Sequence, residues 1–260
     1  IGVPSPLGED DYYQDIPSAF FNDRFPDSEN VVAFIEGDGS TEEILVLSAH
    51  YDHVGIKGED IYNGADDDGS GTVALTEIAK AFKEAENDGY QPKRGILFLH
   101  VTGEEKGLLG SLYYSKNPIF PIENTVADLN TDMIGRVDDR HKDNPNYVYL
   151  IGSDRLSTEL HELSEVINDK YVQLDLDYKY NAKDDPNRFY YRSDHYNFAK
   201  FDIPVIFYFN GTHEDYHQPT DTPDKINYEL LAKRAKLIFY TAWEIANRDE
   251  RPYVDKPTKK

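Results

Sequence analysis

The stretch "YNGADDDGSGTVALTEIAKAF", residues 62–82, places three consecutive aspartates directly before an apolar pattern with helical spacing. The apolar positions are Val73, Leu75, Ile78, Ala79 and Phe82. Their spacing predicts a helix whose apolar face packs on a core. Adjacent carboxylates repel one another, and the positive end of a helix dipole offsets only part of that cost. The sequence therefore predicts a positively charged group among the aspartates.

Short apolar runs on both sides of this helix predict β-strands at 44–48, 96–101, 127–131, 147–151 and 205–209. Most of the runs are continuous rather than alternating, which is typical of strands covered on both faces. Helical patterns also occupy 156–166 and 230–246. We expect an α/β fold, a three-layer sandwich with a mixed, mainly parallel central sheet flanked by helices.

The bulk composition excludes several classes of partner and site. The 260 residues carry a formal net charge of -22, which argues against nucleic acid and anionic membranes as partners. No apolar run reaches the roughly 20 residues of a membrane-spanning helix, and Ile1 does not open a signal peptide. Because the chain has no Cys, any metal site must use His and carboxylate ligands.

The domain organisation follows from where the periodic patterns begin and end. Residues 1–30 mix Pro, Gly, acids and aromatics without a period, and we expect them to be an irregular lead-in packed on the main domain. Residues 31–250 form one catalytic-sized unit, and 251–260 are a polar C-terminal tail. The polar, aromatic segment 174–195 is expected to be either a surface excursion or a wall of the site.

The residues that carry chemistry follow the predicted strands in "SAHYDHVG", "TGEEKGLLGS", "NTDMIG" and "GTHEDYHQPTDT". Ligands of open α/β sheets bind beyond the carboxyl ends of the strands, so these segments and "GADDDGSG" are expected to converge. In an extended "HYDH", His50 and Asp52 share a face, and Asp52 can accept the second ring N–H of a metal-bound His50. His53 then points the other way and is expected outside the site. An ordinary surface His-x-Asp pair is the alternative.

The acidic pairs allow a division of labour between metal binding and catalysis. After a buried strand the neighbours Glu104 and Glu105 must point differently, so one can bind metal while the other stays free as a general base. In "GADDDGSG" the middle carboxylate could bridge two cations. A calcium loop is disfavoured, because the twelve-residue spacing with a closing Glu is missing.

Together these segments resemble the M28 metallopeptidase family, the co-catalytic zinc aminopeptidases typified by secreted bacterial leucine aminopeptidases. The resemblance runs from about residue 30 to 247 and includes His-x-Asp, Gly-x-x-Asp-Asp-x-Ser-Gly, Glu-Glu-x-Gly-Leu-x-Gly-Ser, Asp-Met-Ile-Gly and a late His. It implies a zinc-dependent aminopeptidase with two Zn²⁺ ions that acts on peptides with a free N-terminus. It also implies an exported, periplasmic or extracellular location.

The resemblance further implies a role for particular residues. The metal ligands would be His50, Asp67, Glu105, Asp132 and His217. One zinc would take His50 and Asp132, the other would take Glu105 and His217, and Asp67 would bridge them, with Asp66 and Asp68 in the surrounding positive field. The catalytic residues would be Glu104 as general base, Asp52 orienting His50, Tyr216 donating to the oxyanion and Arg192 positioning the substrate.

Three other functions remain open at this point. A glutaminyl-cyclase-like acyltransferase with one zinc shares the fold, but the compact "EEKGLLGS" and the paired Asp67 and Asp68 favour the peptidase. A carboxypeptidase or dipeptidase would use the same metals with a different pocket. A binding module that has lost its catalytic residues is disfavoured, because all the ligand positions and Glu104 are filled. His and carboxylate ligands also accept Mn or Co.

Overall fold

The structure is a computed structural model that describes residues 27–258. Most of the predicted lead-in, residues 1–26, lies outside this range. Residues 27–30 form no regular element, and the Asn30 amide bonds to the Gly110 carbonyl at 2.9 Å and to the Thr102 N–H at 3.1 Å. At the other end, Asp255 accepts the N–H of Thr158 at 2.8 Å, so the C-terminal segment packs against the start of a helix.

Nine strands and five α-helices make up the described part of the chain. The strands are β1 Val31–Ile35, β2 Ile44–His50, β3 Gly55–Lys57, β4 Asp60–Tyr62, β5 Gly95–Val101, β6 Thr125–Thr131, β7 Tyr147–Ile151, β8 Asp175–Asp177 and β9 Val205–Phe209. The helices are α1 Gly69–Asn87, α2 Leu109–Lys116, α3 Thr158–Tyr171, α4 His195–Ala199 and α5 Tyr228–Asn247. Within residues 27–258, none of the helices combines the length and the apolar character that a bilayer crossing requires.

Seven strands form one mixed sheet in the order β1-β5-β2-β6-β9-β7-β8. The four central strands β5, β2, β6 and β9 are mutually parallel, whereas β1 and β7 run antiparallel to their neighbours β5 and β9. The predicted mainly parallel sheet is therefore confirmed. Its parallel centre places the ends of β2, β5, β6 and β9 at one edge.

Helices cover both faces of the sheet, which confirms the three-layer sandwich. On one face α1, α3 and α5 pack through residues such as Phe82, Leu160 and Leu237. On the other face α2 and α4 contribute Tyr114 and Phe198. Because both faces are covered, every residue of β2 and β6 is buried. In β2 this matches the apolar run Ile44–Leu47, whereas β6 also buries polar residues, among them Asp128 and Asn130.

The strands and helices that the sequence pattern did not predict are all short. All five predicted strands and all three predicted helices are present. The edge strand β1, the β3–β4 hairpin and the three-residue β8 were not predicted, nor were α2 and α4, because elements of three to eight residues are too short to show a period. In segment 174–195, Phe189 and Arg192 line the pocket that Glu104 and His217 also line, so this segment is a wall of the site.

One buried cation fixes the segment that follows β6. Arg234 of α5 is fully buried, and its guanidinium donates to the carbonyls of Ile134 at 2.7 Å and Arg136 at 2.8 Å. It also donates to the Tyr147 carbonyl at 3.1 Å. A buried carbonyl without a donor costs roughly 1–3 kcal/mol, so Arg234 stabilises the backbone directly beyond Asp132.

Candidate metal centre

Four strand ends and one helix start bring the predicted residues together. His50 is the last residue of β2, and Asp132 directly follows β6. Glu104 and Glu105 follow β5 after a turn at Gly103, whose φ of 68° is unfavourable for other residues. The convergence predicted from the strand order is therefore present.

The first group of ligand-type side chains is His50, Asp67 and Asp132. The His50 Nε2 atom lies 3.2 Å from Asp67 Oδ1 and 3.7 Å from Asp132 Oδ1. All three side chains are buried. Ser193 donates its hydroxyl to Asp132 Oδ2 at 2.8 Å, which leaves the other carboxylate oxygen facing the group.

The second group lies on the other oxygen of Asp67. His217 Nε2 is 3.0 Å from Asp67 Oδ2 and 3.1 Å from Glu105 Oε1. Asp67 thus contacts both groups, one through each oxygen. The division is the one that the sequence resemblance implies, with His50 and Asp132 on one side and Glu105 and His217 on the other.

His53 also lies in the second group, so the prediction that it points away was wrong. Its Nδ1 atom is 3.0 Å from Glu105 Oε1 and 3.9 Å from Asp67 Oδ2. The alternation of a strand does not extend to His53, because β2 ends at His50 and residues 51–54 turn out of the sheet. The feature of the sequence that could have indicated this position is the second histidine, His53, three residues after His50.

The His50 ring is oriented by Asp52, but not through the predicted contact. His50 Nδ1 donates to the backbone carbonyl of Asp52 at 3.0 Å, while the Asp52 carboxylate is 3.6 Å away. The donor on Nδ1 leaves Nε2 free to bind a metal. The Asp52 carboxylate instead accepts the backbone N–H of Glu104 at 3.1 Å, so this residue connects His50 to Glu104.

Of the three consecutive aspartates, only Asp67 enters the two groups. The Asp66 carboxylate accepts the N–H of Gly135 at 2.6 Å and contacts His213 Nε2 at 3.1 Å. Gly135 and His213 therefore stabilise the Asp66 carboxylate directly. The expectation named only the positive field of the metals and was incomplete.

Asp68 is the cap of α1. Its carboxylate accepts the N–H of Gly71 at 2.9 Å and that of Met133 at 3.1 Å. Carboxylates are favourable at this position because the first N–H groups of a helix lack partners within it. The repulsion among the aspartates is thus reduced by separating the three side chains, each toward different partners.

A pocket opens beside the two groups, and Glu104, Tyr216 and Arg192 line it. Its empty volume is about 330 Å³, and its apolar lining consists of Met133, Phe189, Phe207 and Phe209. Arg192 Nη2 donates to the Tyr216 hydroxyl at 3.4 Å. The structure therefore brings all three predicted catalytic side chains to the same opening.

Several atoms of the two groups are buried without a hydrogen-bond partner. They are His50 Nε2, both ring nitrogens of His53, Asp67 Oδ2 and Glu105 Oε1. Buried polar atoms are nearly always paired, so atoms that converge at contact distance without forming hydrogen bonds point to a shared cation. Nitrogen and oxygen ligands of this kind suit zinc. The donor set fits cations on both sides of Asp67.

Comparison with known proteins supplies the family. The model of peptidase family M28 matches residues 30–242. The chain belongs to this family. A probable leucine aminopeptidase of Arthroderma otae is 30% identical over an alignment of 216 positions that covers 80% of this chain and 56% of that protein. A probable zinc metalloprotease of Pyricularia oryzae is 27% identical over 84% of this chain and 50% of its own length. The chain spans about half the length of these relatives.

Solved structures share the fold of this M28 chain. A zinc aminopeptidase from Bacillus subtilis superposes with a TM-score of 0.68 at 22% identity, covering 86% of this chain and 51% of that one. A glutaminyl cyclase from Bacteroides thetaiotaomicron superposes with a TM-score of 0.61 at 18% identity, covering 82% of this chain and 76% of that one. At such identities the likeness concerns the fold alone.

The electrostatics of the M28 centre favour positive charge. Burial lowers the pKa of His217, but Asp67 and Glu105 outweigh it and raise the pKa to about 9. Burial likewise opposes protonation of His50, yet Glu104 and Asp132 raise its pKa well above 6.5. The carboxylates that hold protons on these rings would attract metal cations in the same way.

Burial raises the pKa of Glu104 well above its usual range, opposed by His50 and reinforced by Asp132. Glu104 therefore competes more strongly for a proton than an exposed glutamate does. Two dications nearby would lower its pKa again. Burial also raises the pKa of Tyr216, so its phenol keeps its proton at neutral pH.

Asp221 is a site residue that sequence reasoning missed. It is fully buried, and its carboxylate accepts the N–H of Asp66 at 3.0 Å and the N–H of Asp67 at 3.2 Å. Because Asp221 follows His217 by four residues, it ties the loop of His217 to that of Asp67. The acid in "YHQPTDT" was visible in the sequence, but only the tertiary contact gives it a role.

Proposed function

We propose that this M28 chain is a zinc-dependent aminopeptidase that removes N-terminal residues from peptides with two Zn²⁺ ions. One observation carries the proposal. Ligand-type atoms, several of them buried without a hydrogen-bond partner, gather at each of the two oxygens of Asp67, and Glu104 lines the pocket beside them. Such an arrangement is typical of sites in which a metal pair activates water beside a general base.

The reaction uses the side chains in separate roles. Bound zinc ions would lower the pKa of water and polarise the scissile carbonyl. Glu104 takes a proton from the attacking water and returns it to the leaving amine. The Asp52 carboxylate accepts the backbone N–H of Glu104 and so holds that backbone in place. These steps need Glu104 ionised when the substrate binds, and bound zinc ions nearby would favour its ionised form.

Tyr216 and Arg192 act on the substrate carbonyl in this proposal. The protonated phenol of Tyr216 can donate to the carbonyl oxygen as it gains negative charge. Arg192 contacts the same hydroxyl at 3.4 Å and so positions Tyr216, while its charge faces the pocket that receives substrate.

The lining of the pocket supports an apolar first residue in the substrate. The side chains of Met133, Phe207 and Phe209 line the pocket together with Asp132 and Glu104. Ligand pockets are lined mostly by apolar side chains, which suit apolar parts of the ligand. We therefore propose peptides with a free N-terminus and an apolar first residue as substrates.

The test uses a Leu-leading peptide and the same peptide with an acetylated N-terminus. The proposal predicts release of the first residue from the free peptide alone, loss of release after chelation, and recovery when zinc is added. Equal cleavage of the acetylated peptide would reject an aminopeptidase. Release from the other end would indicate a carboxypeptidase, and cyclisation of a Gln-leading peptide without hydrolysis would indicate a cyclase.

An exported, periplasmic or extracellular location is also part of the proposal. Its support is the resemblance to secreted bacterial aminopeptidases. M28 relatives have more than one location, since one matching protein of Verticillium alfalfae is named a vacuolar membrane protease. Fractionation of the source cells, followed by detection of the protein, tests the location.

A further inference from the structure

We propose that His53 is a fourth protein ligand of the ion held by Asp67, Glu105 and His217. This goes beyond the five ligands that the M28 resemblance implies, and it rests on the proposed function only for the identity of the metal. The His53 side chain is 7% exposed and is directed into the second group rather than toward solvent.

The distances fit ligands around one ion. Zinc binds nitrogen and oxygen at about 2.0–2.2 Å, so two ligands of a tetrahedral ion lie about 3.4 Å apart. His53 Nδ1 is 3.0 Å from Glu105 Oε1 and 3.9 Å from Asp67 Oδ2. His217 Nε2 lies 3.0 Å and 3.1 Å from the same two oxygens. The two imidazoles therefore contact the same two carboxylate oxygens.

A hydrogen bond does not account for the short contact between His53 and Glu105. Neither His53 Nδ1 nor Glu105 Oε1 has a hydrogen-bond partner, although the two atoms are 3.0 Å apart. The distance between the two atoms is that of a hydrogen bond, but the ring N–H or lone pair does not point along the line that joins them. Ligands of a shared ion have this relation, because each lone pair points at the ion and not at the neighbouring ligand.

The backbone next to the site is shaped around the His53 ring. Gly64 has a φ of 63°, and a Cβ atom there would lie 2.5 Å from His53 Cγ and 2.3 Å from the Asp67 carbonyl oxygen. Only glycine allows this approach. The loop therefore packs against the His53 ring and fixes it relative to Asp67.

A fourth ligand makes the two ions unequal. The ion at His50 would have His50, Asp67 and Asp132 as protein ligands. The ion at His217 would have four, namely His217, His53, Asp67 and Glu105. A metal with three protein ligands keeps an open position for water or substrate, whereas a closed set of four is typical of a tightly held ion. We therefore infer that the ion at His50 offers the open position.

The experiment compares metal binding by the wild type, His53→Ala and the control His141→Ala. His141 is a suitable control because its Nδ1 atom also contacts a carboxylate, Asp138 Oδ1 at 2.8 Å. The full chain is stripped of metal and titrated with zinc against a competing chelator. It is then loaded with Co²⁺, whose visible absorption reports coordination number, with and without free imidazole. Circular dichroism verifies folding of each variant.

We expect His53→Ala to bind one of two zinc ions at least about tenfold more weakly. Its cobalt spectrum should change and return toward that of the wild type when imidazole fills the vacated position, while His141→Ala behaves as the wild type. Unchanged binding, or weaker binding with an unchanged spectrum, would show that His53 is not a ligand. A wild type that binds two ions without hydrolysing peptides would defeat the proposed function and leave the ligand assignment standing.

Discussion

The candidate metal centre and a second cluster of histidine and aspartate, His141 with Asp138 and Asp177, differ in whether their polar atoms are paired. In the candidate metal centre, His50 Nε2 and Asp67 Oδ2 are buried without hydrogen bonds. In the second cluster, His141 Nδ1 contacts Asp138 Oδ1 at 2.8 Å, and Tyr149 donates its hydroxyl to Asp138 Oδ2 at 2.7 Å. No buried side-chain atom of Asp138 or His141 lacks a partner within residues 27–258.

The difference shows that residue type alone does not make a metal site. The His141 ring also stacks on Tyr147, with the ring centroids 3.5 Å apart, and its Nε2 is 3.3 Å from Asp177 Oδ2. The polar atoms of this second cluster are paired with one another, so none of them remains to bind a metal. The centre around Asp67 leaves atoms unpaired, and a cation would compensate both their lost hydrogen bonds and their negative charge.

The largest effect is expected from the carboxylate that the metal centre leaves free. Glu104→Gln should lower kcat about a hundredfold or more while zinc stays bound, because it removes the proton acceptor and no ligand. Glu105→Gln is the matched variant, and it should lose metal as well as activity. Steady-state rates and metal content of both proteins provide the test. Full turnover by Glu104→Gln would remove Glu104 from the base role.

Removing one histidine from each cluster tests the contrast between them directly. His50→Ala should weaken binding of one zinc ion by more than about tenfold. Losing a residue that only orients a ligand already lowers metal affinity about tenfold or more, and losing the ligand itself should lower it at least as much. His141→Ala should leave metal affinity unchanged and affect only local packing. Competition with a chelator measures both. Equal loss of metal from the two variants would contradict the distinction between paired and unpaired clusters.

A comparable effect for each pH unit is expected from protonation of the histidine ligands. His217 has a pKa of about 9 without metal and must lose its proton to become a ligand. Below that pH zinc has to displace the proton, so the apparent affinity should fall about tenfold per pH unit for each proton displaced. Zinc titrations between about pH 6 and about pH 8 test this. An affinity that does not change with pH would mean that no such proton is displaced.

Much of the fold followed from the sequence, because buried strands and amphipathic helices carry strong patterns. The run at 205–209 and the stripe from Val73 to Phe82 each correspond to an observed element. The edge strand Val31–Ile35 is largely exposed and short, so its pattern is weak. Local periodicity decides the first kind of element, and tertiary pairing decides the second.

The candidate site was predictable where a residue follows a strand and less so where a loop turns back. His50 and Asp132 lie at the ends of β2 and β6, as the strand order indicates. His53 was misplaced because the strand alternation was extended beyond its end. Asp221 was missed because its partners, the N–H groups of Asp66 and Asp67, are about 155 residues away in the chain. No local pattern reports such a contact.

Zinc content per chain, measured by mass spectrometry on protein purified without chelators, tests the central claim most directly. The two unpaired groups around Asp67 predict about two zinc ions per chain, and His141→Ala should contain the same amount. A content of one ion or none, in protein shown to be folded and resupplied with zinc, would contradict a two-metal centre.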